Sequence, residues 1–164
     1  MSDVYKQLAK HLDNLPEGYP ATESGVELRI LKRLFSPQEA ELAMKLTMMP
    51  EPVSVIADRL GINESELDRE LEAMSHKGLI FRSTKGGTNH YMAAQFVVGI
   101  WEYHVNDLDE GLIKDFNEYL PTLMHEGILK HKTQQLRVIP VAKSISAEMQ
   151  IMPYEEAHHL VQQQ

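Results

Sequence analysis

The sequence predicts a mainly α (α+β) fold whose centre is a winged helix-turn-helix, with extra N-terminal helices before it and a C-terminal α+β extension after it. Two helical segments that meet at Gly61 are the first observation behind this prediction. The second is a pair of short apolar segments around Gly86-Gly87, which indicates a β-hairpin, the wing. The inferred parts are residues 1–52 for N-terminal helices that pack on the core, 53–95 for the winged helix-turn-helix, and 96–164 for an extension with a short β-hairpin and a terminal helix.

Three helices are predicted ahead of this centre. Apolar residues at helical spacing predict helices over residues 3 to 15 and 26 to 35. Ser36 is followed by a proline and, three positions on, by Glu39, which is typical of a capping box. A third helix is therefore predicted over residues 37 to 47.

The central helix-turn-helix is predicted from its caps and its apolar periodicity. Ser54 is predicted to cap a short helix that ends at Leu60, and Gly61 lies where a helix C-terminus favours a left-handed residue. Asn63, with a glutamate three residues on, is predicted to cap the next helix, which Gly78 ends. The buried stripe of this second helix is predicted to consist of Leu67, Leu71 and Met74.

Strands and one longer helix are predicted in the rest of the chain. Residues 79–82 and 90–93 are apolar segments on either side of a polar stretch with two glycines, as in a β-hairpin. Periodic apolar residues predict a helix over residues 108 to 120 that ends before Pro121. Two further strands, which would pair with each other, are predicted at residues 137–141 and 148–152. The residues predicted to be core or interface aromatics are Trp101, Tyr103, Phe116 and Tyr119.

The composition restricts the classes of protein that the chain could represent. The 164 residues include no cysteine, which excludes disulfides, cysteine-ligated zinc and iron–sulfur clusters held by these residues themselves. No apolar stretch approaches the roughly 20 residues that a membrane-spanning helix needs, and the N-terminus lacks the pattern of a signal peptide. We therefore expect a cytoplasmic protein without a membrane partner.

The predicted helix after Gly61 is the one that a helix-turn-helix would present to DNA. Its outward face is acidic, as is the whole chain, whose net charge is −8. Phosphates would be repelled by such a face, so DNA binding is disfavoured although it stays an alternative. The candidate contacts with DNA or with a protein partner are Ser65, Arg69, Glu72 and His76 on this helix, and Arg82 and Lys85 on the predicted wing.

Two segments of the centre resemble the MarR-like class of winged-helix proteins. They are residues 56–62 (IADRLGI) and 71–80 (LEAMSHKGLI). The resemblance implies a winged-helix fold and, as one functional alternative, a DNA-binding transcriptional regulator. Winged helices also serve as protein-docking modules, so the fold leaves both functions open. A homodimer is a further expectation, because the segment after a wing often packs back on the domain or forms a dimer interface.

Three segments spread over more of the chain are similar to the N-terminal part of bacterial and archaeal 4Fe-4S ferredoxin-type proteins. They are residues 27–35 (ELRILKRLF), 91–102 (YMAAQFVVGIWE) and 135–140 (QLRVIP). In that family a winged-helix region precedes a cysteine-rich part that binds the clusters. The resemblance implies a non-catalytic docking or regulatory module of an iron–sulfur redox protein. Its partner would be another protein or its own cysteine-rich C-terminal domain.

The same resemblance implies that no cofactor is bound within this chain, with 4Fe-4S clusters expected only in a missing C-terminal part. A helix predicted to open at Pro153 and to continue to the end of the sequence agrees with the interpretation of the chain as a fragment. The histidines do not form a strong metal motif, because the adjacent pair His158-His159 points in two directions on a helix. His125 and His131, in a predicted loop near Glu126, are a weaker alternative. We expect no catalytic centre and no metal site in these residues.

Overall fold

The computed structural model describes residues 3–130, which confirm a mainly α (α+β) fold. The helices are α1 (Val4–Asp13), α2 (Val26–Leu34), α3 (Pro37–Ala43), α4 (Val53–Leu60), α5 (Glu64–His76), the single turn α6 (Trp101–Tyr103) and α7 (Glu110–Thr122). The strands are β1 (Glu51–Pro52), β2 (Ile80–Lys85) and β3 (Thr88–Ala93). Within the described residues, no helix has the length and apolar character needed to cross a membrane.

Local capping signals place several helix starts where the sequence predicted them. The capping box of α3 is present, with Glu39 N–H donating to Ser36 Oγ at 3.2 Å and Ser36 N–H donating to the Glu39 carboxylate at 2.7 Å. Asn63 caps α5 by accepting the Glu66 N–H at 3.2 Å. These bonds satisfy amides that the first helical turn leaves without partners.

The predicted cap of α4 was wrong. Ser54 lies inside α4, which begins at Val53 directly after Pro52. The reason is a strand that the sequence did not reveal: Glu51–Pro52 forms β1, which pairs with β3 at Tyr91 and His90. This pairing holds Pro52 in an extended conformation, so the chain turns into α4 without a side-chain cap. Helix α3 also ends earlier than predicted, at Ala43.

The three strands form an antiparallel sheet in the order β1-β3-β2. The predicted hairpin is present as β2 and β3, and its strands reach as far as the pair Lys85 and Thr88. Only Gly86 and Gly87 remain for the turn, with φ of 60° and 79°. Two consecutive left-handed residues are what a tight type I′ turn requires, and glycine adopts this conformation without a steric penalty.

An aromatic cluster forms the core on the side of α7. Phe96 lies between Tyr19 and Tyr119, with ring centroids 5.0 Å and 6.2 Å from its neighbours. Trp101 and Phe116 stack with a centroid distance of 3.6 Å. Three of the four predicted core aromatics therefore pack here or against this cluster, whereas Tyr103 is 55% exposed.

The prediction that a helix ends before Pro121 was wrong. Helix α7 includes Pro121 and continues from Leu123 to Leu129 with the wider hydrogen-bond pattern of a π-helix. Tyr119 and Leu123, on either side of the proline, are fully buried, and Tyr119 donates a hydrogen bond to the carbonyl of Pro20. Tertiary packing thus outweighs the local penalty of the proline.

Several predictions concern residues outside the described range. They are the strands at 137–141 and 148–152, the helix from Pro153, and the histidines His131, His158 and His159.

Candidate partner-binding surface

Helix α5 is held to the core by the stripe that the sequence predicted. Leu67, Leu71 and Met74 are at most 2% exposed. The rest of the helix is strongly acidic, because a single arginine, Arg69, accompanies its carboxylates. These carboxylates are Glu64, Glu66, Asp68, Glu70 and Glu72.

One edge of α5 contacts the hairpin through two of these carboxylates. The Tyr91 hydroxyl donates to Asp68 at 2.6 Å, and Asn89 donates to the same carboxylate at 3.2 Å. Burial first, and then the bond to Asp68, raise the pKa of Tyr91 well above its ordinary value. Glu72 forms an ion pair with Arg82 of β2. Asp68 and Glu72 thus connect α5 to the hairpin through hydrogen bonds and an ion pair.

The six predicted contact residues divide into two groups. Glu72, Arg82 and His76 come together, since the His76 ring lies 3.8 Å from Glu72, which also pairs with Arg82. The positive charge of Arg82 is therefore already compensated by a carboxylate. The exposed residues whose side chains make no hydrogen bond or ion pair with another described residue are Ser65, Arg69 and Lys85.

A cleft of about 310 Å³ opens at the C-terminal end of α5. It is bounded by the ends of α2 and α5, by the segment that follows α6 and by the start of α7. At its base lies His104, which is 8% exposed and whose Nδ1 is 2.7 Å from the carbonyl of Ile100. The polar residues that line the cleft are Arg33, His76, Lys77, Tyr103, His104, Asp107 and Asp109.

The close approach of α6 to the end of α5 depends on Gly78. This residue has φ of +81°, and a Cβ at this position would lie 2.5 Å from Cβ of Tyr103. From the sequence, Gly78 was predicted only to end a helix, and the cleft was missed because its lining comes from three separate regions of the chain, residues 33–34, 76–77 and 103–112.

A second polar feature that the sequence did not reveal is a buried carboxylate beside the segment after β3. Glu17 is 1% exposed, and both of its oxygens lie within 2.9 Å of the backbone N–H of Val97. Burial, with a contribution from nearby Glu102, raises the pKa of Glu17 to about 7. Glu102 in turn accepts the N–H of Gly99 at 2.7 Å.

The two carboxylates brace an unusual turn. Val98, between their hydrogen-bond donors, has φ of 53° and is 67% exposed. A β-branched residue in the left-handed region is strained, at a cost on the order of 1–3 kcal/mol. The surrounding hydrogen bonds therefore hold an apolar side chain in solvent against a local conformational preference.

The weaker metal alternative at His125 and His131 is only partly within the described residues, because His131 lies outside them. His125 lies in the helical continuation of α7, not in a loop, and its Nδ1 is 2.7 Å from Glu126. Lys130 donates to the same carboxylate at 3.0 Å. Within residues 3–130, no group of three or more histidine, aspartate or glutamate side chains has the arrangement of a metal site.

Comparison of the chain with protein-family models, with curated proteins and with solved structures found no match.

Proposed function

We propose that the chain is a non-catalytic docking or regulatory module of a cytoplasmic iron–sulfur redox protein of the 4Fe-4S ferredoxin type, and that α5 forms its docking surface. The observation that carries the docking function is the acidic outward side of α5, where three exposed carboxylates, those of Glu64, Glu66 and Glu70, accompany one arginine. Such a surface favours a partner with a basic contact region, because complementary charges speed the encounter and select the correct orientation.

The link to iron–sulfur chemistry rests on the resemblance of residues 27–35, 91–102 and 135–140 to that family. In this proposal the clusters are bound by a cysteine-rich protein or domain outside these residues, since thiolate ligands are needed and the chain has no cysteine. The module would position that partner and would take no electrons itself.

The order of elements supports a winged-helix interpretation of the centre. Helix α3, strand β1, helices α4 and α5, and the hairpin of β2 and β3 follow one another as in a winged helix, and β1 completes the sheet beside β3. In this interpretation α5 takes the place of the recognition helix and the hairpin is the wing.

A transcriptional regulator of the MarR-like class is the second candidate function. Arg69 on α5 and Lys85 beside the hairpin turn are exposed cations without an ion-pair partner among the described residues, and both could contact phosphates. Against this function, Arg82 is compensated by Glu72, and five carboxylates share the helix with Arg69. Each would weaken the electrostatic attraction on which duplex binding depends.

One titration separates the two functions. The partner to use is any cysteine-rich protein or domain with C-x-x-C spacing that is found encoded with this chain, reconstituted with its clusters. We expect calorimetry to detect binding that weakens with salt and that falls about tenfold in the variant E66Q/E70Q, since each exposed charge contributes a fraction of a kcal/mol to about 1 kcal/mol. Mixed-sequence duplex DNA should not bind under the same conditions.

The arginine variant R69A provides the control. Removal of a cation from an acidic docking face should leave affinity for the iron–sulfur partner unchanged or slightly higher. If R69A instead abolishes a salt-dependent affinity for duplex DNA that the unaltered chain possesses, the regulator function replaces the docking function. Absence of any cysteine-rich partner encoded with the chain would remove the iron–sulfur part of the proposal.

A further inference from the structure

The base of the cleft at the C-terminal end of α5 presents an acceptor that no described residue uses. The Nδ1 atom of His104 lies 2.7 Å from the carbonyl oxygen of Ile100. A carbonyl can only accept, so Nδ1 carries a proton, and in the neutral ring Nε2 then carries a lone pair. Nε2 has no hydrogen-bond partner among the described residues, and this atom is accessible to solvent although His104 as a whole is more than nine-tenths buried. A ligand that bonds to Nε2 of the neutral ring must act as the hydrogen-bond donor.

The charges around His104 also favour a donor with positive charge. The two permanent cations of the lining are already paired: Arg33 contacts Asp109 and Asp115 at 3.2 Å and 3.3 Å, and Lys77 contacts Glu39 at 2.8 Å. Asp107 lines the same cleft, is exposed and has no side-chain partner among the described residues. The unpaired charge of the lining is therefore negative.

Two further features of the cleft also favour a ligand with positive charge. The C-terminus of α5, a helix of 13 residues, ends at the cleft with the partial negative charge of a last helical turn, while the partial positive charge at the start of α7 is already met by its N-cap, Asp109. Tyr103 presents a half-exposed aromatic ring that packs against Phe81 with a centroid distance of 5.7 Å. The absence of a side chain at Gly78 leaves room for Tyr103 at this position. Aromatic rings attract guanidinium and ammonium groups.

We infer that this cleft is a binding site for a guanidinium or alkylammonium group, which donates to His104 Nε2, pairs with Asp107 and packs against Tyr103. The group can come from an arginine or lysine side chain of a partner or from a free small amine. The volume of about 310 Å³ accommodates either source. The inference rests on atoms other than the outward carboxylates of α5, so it does not require the docking function proposed above.

The test uses the full chain and three probes. The first is agmatine, a free guanidinium compound; the second is the blocked tripeptide Gly-Arg-Gly; the third is the same tripeptide with citrulline, the uncharged isostere of arginine. Binding is followed through the imidazole nitrogens of His104 by long-range ¹H–¹⁵N spectra at mildly alkaline pH. Nε2 should shift with agmatine or with the arginine peptide and should not shift with the citrulline peptide.

Two variants with the same change of charge locate the site. D107N removes the unpaired carboxylate of the cleft, and D58N removes an exposed carboxylate on α4. We expect D107N to lower the affinity about three- to tenfold and D58N to leave it unchanged, as for an exposed ion pair with an added hydrogen bond. Both aspartates are exposed, so both variants should fold.

The outcomes separate the sources and can overturn the inference. Equal affinity for agmatine and the peptide identifies a free amine as the ligand, whereas stronger binding of the peptide identifies a side chain. Equal binding of the citrulline peptide, no shift of His104 Nε2 with any probe, or identical behaviour of D107N and D58N would each refute the site. The docking function would survive such a result, because its test uses E66Q/E70Q and a protein partner.

Discussion

Glu17 shows how one residue can set local geometry and pH dependence together. Its carboxylate is buried, and the charged group among the described residues that acts on it is another carboxylate, Glu102; Glu17 in turn acts on Tyr19 and Tyr119. The hydrogen bond to Val97 offsets part of the desolvation cost. The remainder of that cost falls on the ionised form and links the stability of the chain to pH.

The first prediction concerns the variant E17Q. The folded chain keeps the proton of Glu17 up to a pH of about 7, whereas an unperturbed glutamate releases it near 4.5. Folding therefore takes up a proton between these values, and the free energy of unfolding should fall as the pH rises through this window. Glutamine keeps an acceptor for the Val97 amide and cannot ionise. We expect E17Q to be more stable than the unaltered chain above pH 7, by about 1 to 3 kcal/mol.

Urea unfolding at pH values on both sides of the window measures this effect. The gain in stability should nearly vanish near pH 4.5 and should be absent at every pH in E23Q, which changes an exposed glutamate of the same charge. A gain that does not vary with pH would mean that the pKa of Glu17 is the same in the folded and the unfolded chain, contrary to the prediction.

Between elements, the contact of α5 with the hairpin determines which surface α5 can present. Asp68 and Glu72 are used on the hairpin side, so the outward side is left with the exposed carboxylates and Arg69. Only the side chains of β2 and β3 reveal this division. The sequence predicts the outward face of α5 by helical angle alone. It therefore gives Glu72 and the wing residue Arg82 as separate candidate contacts and does not reveal that they pair with each other.

The second prediction tests the bond between Tyr91 and Asp68. The variant Y91F keeps the fully buried ring but removes the hydroxyl that donates to Asp68 at 2.6 Å. The Asp68 carboxylate then accepts a side-chain hydrogen bond from Asn89 alone among the described residues. The loss should be about 1 to 2 kcal/mol of unfolding free energy, as for a hydrogen bond to a charged group. Y103F removes an exposed hydroxyl and should cost less than about 0.5 kcal/mol. Equal losses in the two variants, measured by denaturant unfolding, would count against the bond.

The third prediction concerns the junction of α5 and α6. Gly78 and Gly61 both have left-handed backbone, with φ of +81° and +67°, but only at Gly78 would a Cβ meet another atom, Cβ of Tyr103, at 2.5 Å. G61A should cost about 1 kcal/mol from backbone strain alone, and G78A should cost about 2 to 4 kcal/mol because the steric clash adds to it. Thermal unfolding of the two variants gives the comparison. A G78A loss no larger than that of G61A would mean that α6 can move away freely.

How far the sequence predicts these elements depends on how local each signal is. The capping box of Ser36 and the cap at Asn63 lie within one turn of the helix they start, and both were predicted correctly. Strand β1 was missed because two residues carry no periodicity, and its partner is nearly 40 positions away. The helix through Pro121 was missed because the contacts that stabilise it belong to Tyr119 and the segment near Pro20.

The same reasoning applies to the candidate sites. The acidic character of α5 follows from composition and was predicted, whereas the cleft at its end and the Glu17–Val97 contact join residues that are far apart in the sequence. No spacing rule identifies such pairs. The candidate residues that belong to a single helix are thus the ones that sequence alone can supply.

At the scale of the whole molecule, a network of ion pairs joins α2 to α7. Asp115, which is 8% exposed, accepts from Arg29 at 3.2 Å and contacts Arg33 at 3.3 Å. Arg29 also pairs with Glu118, and Arg33 pairs with Asp109 at the start of α7. This network therefore extends from the N-cap of α7 to Glu118 in its third turn and holds that helix beside Arg33, which lines the cleft.

The fourth prediction is that Asp115, more than the exposed acids around it, maintains this junction. D115N leaves two guanidinium groups facing an uncharged amide in a nearly buried position, which should cost about 1 to 3 kcal/mol. E118Q changes a half-exposed partner of the same Arg29 and should cost less than about 1 kcal/mol, because solvent already screens that pair. Native-state hydrogen exchange locates the effect: amides of α7 should exchange faster in D115N, while those of β2 and β3 should not.

If the hairpin loses protection together with α7, the described residues unfold as one cooperative unit and the network does not act locally. If E118Q matches D115N in both measurements, burial of Asp115 contributes nothing, and the junction depends on the number of charges rather than on their position.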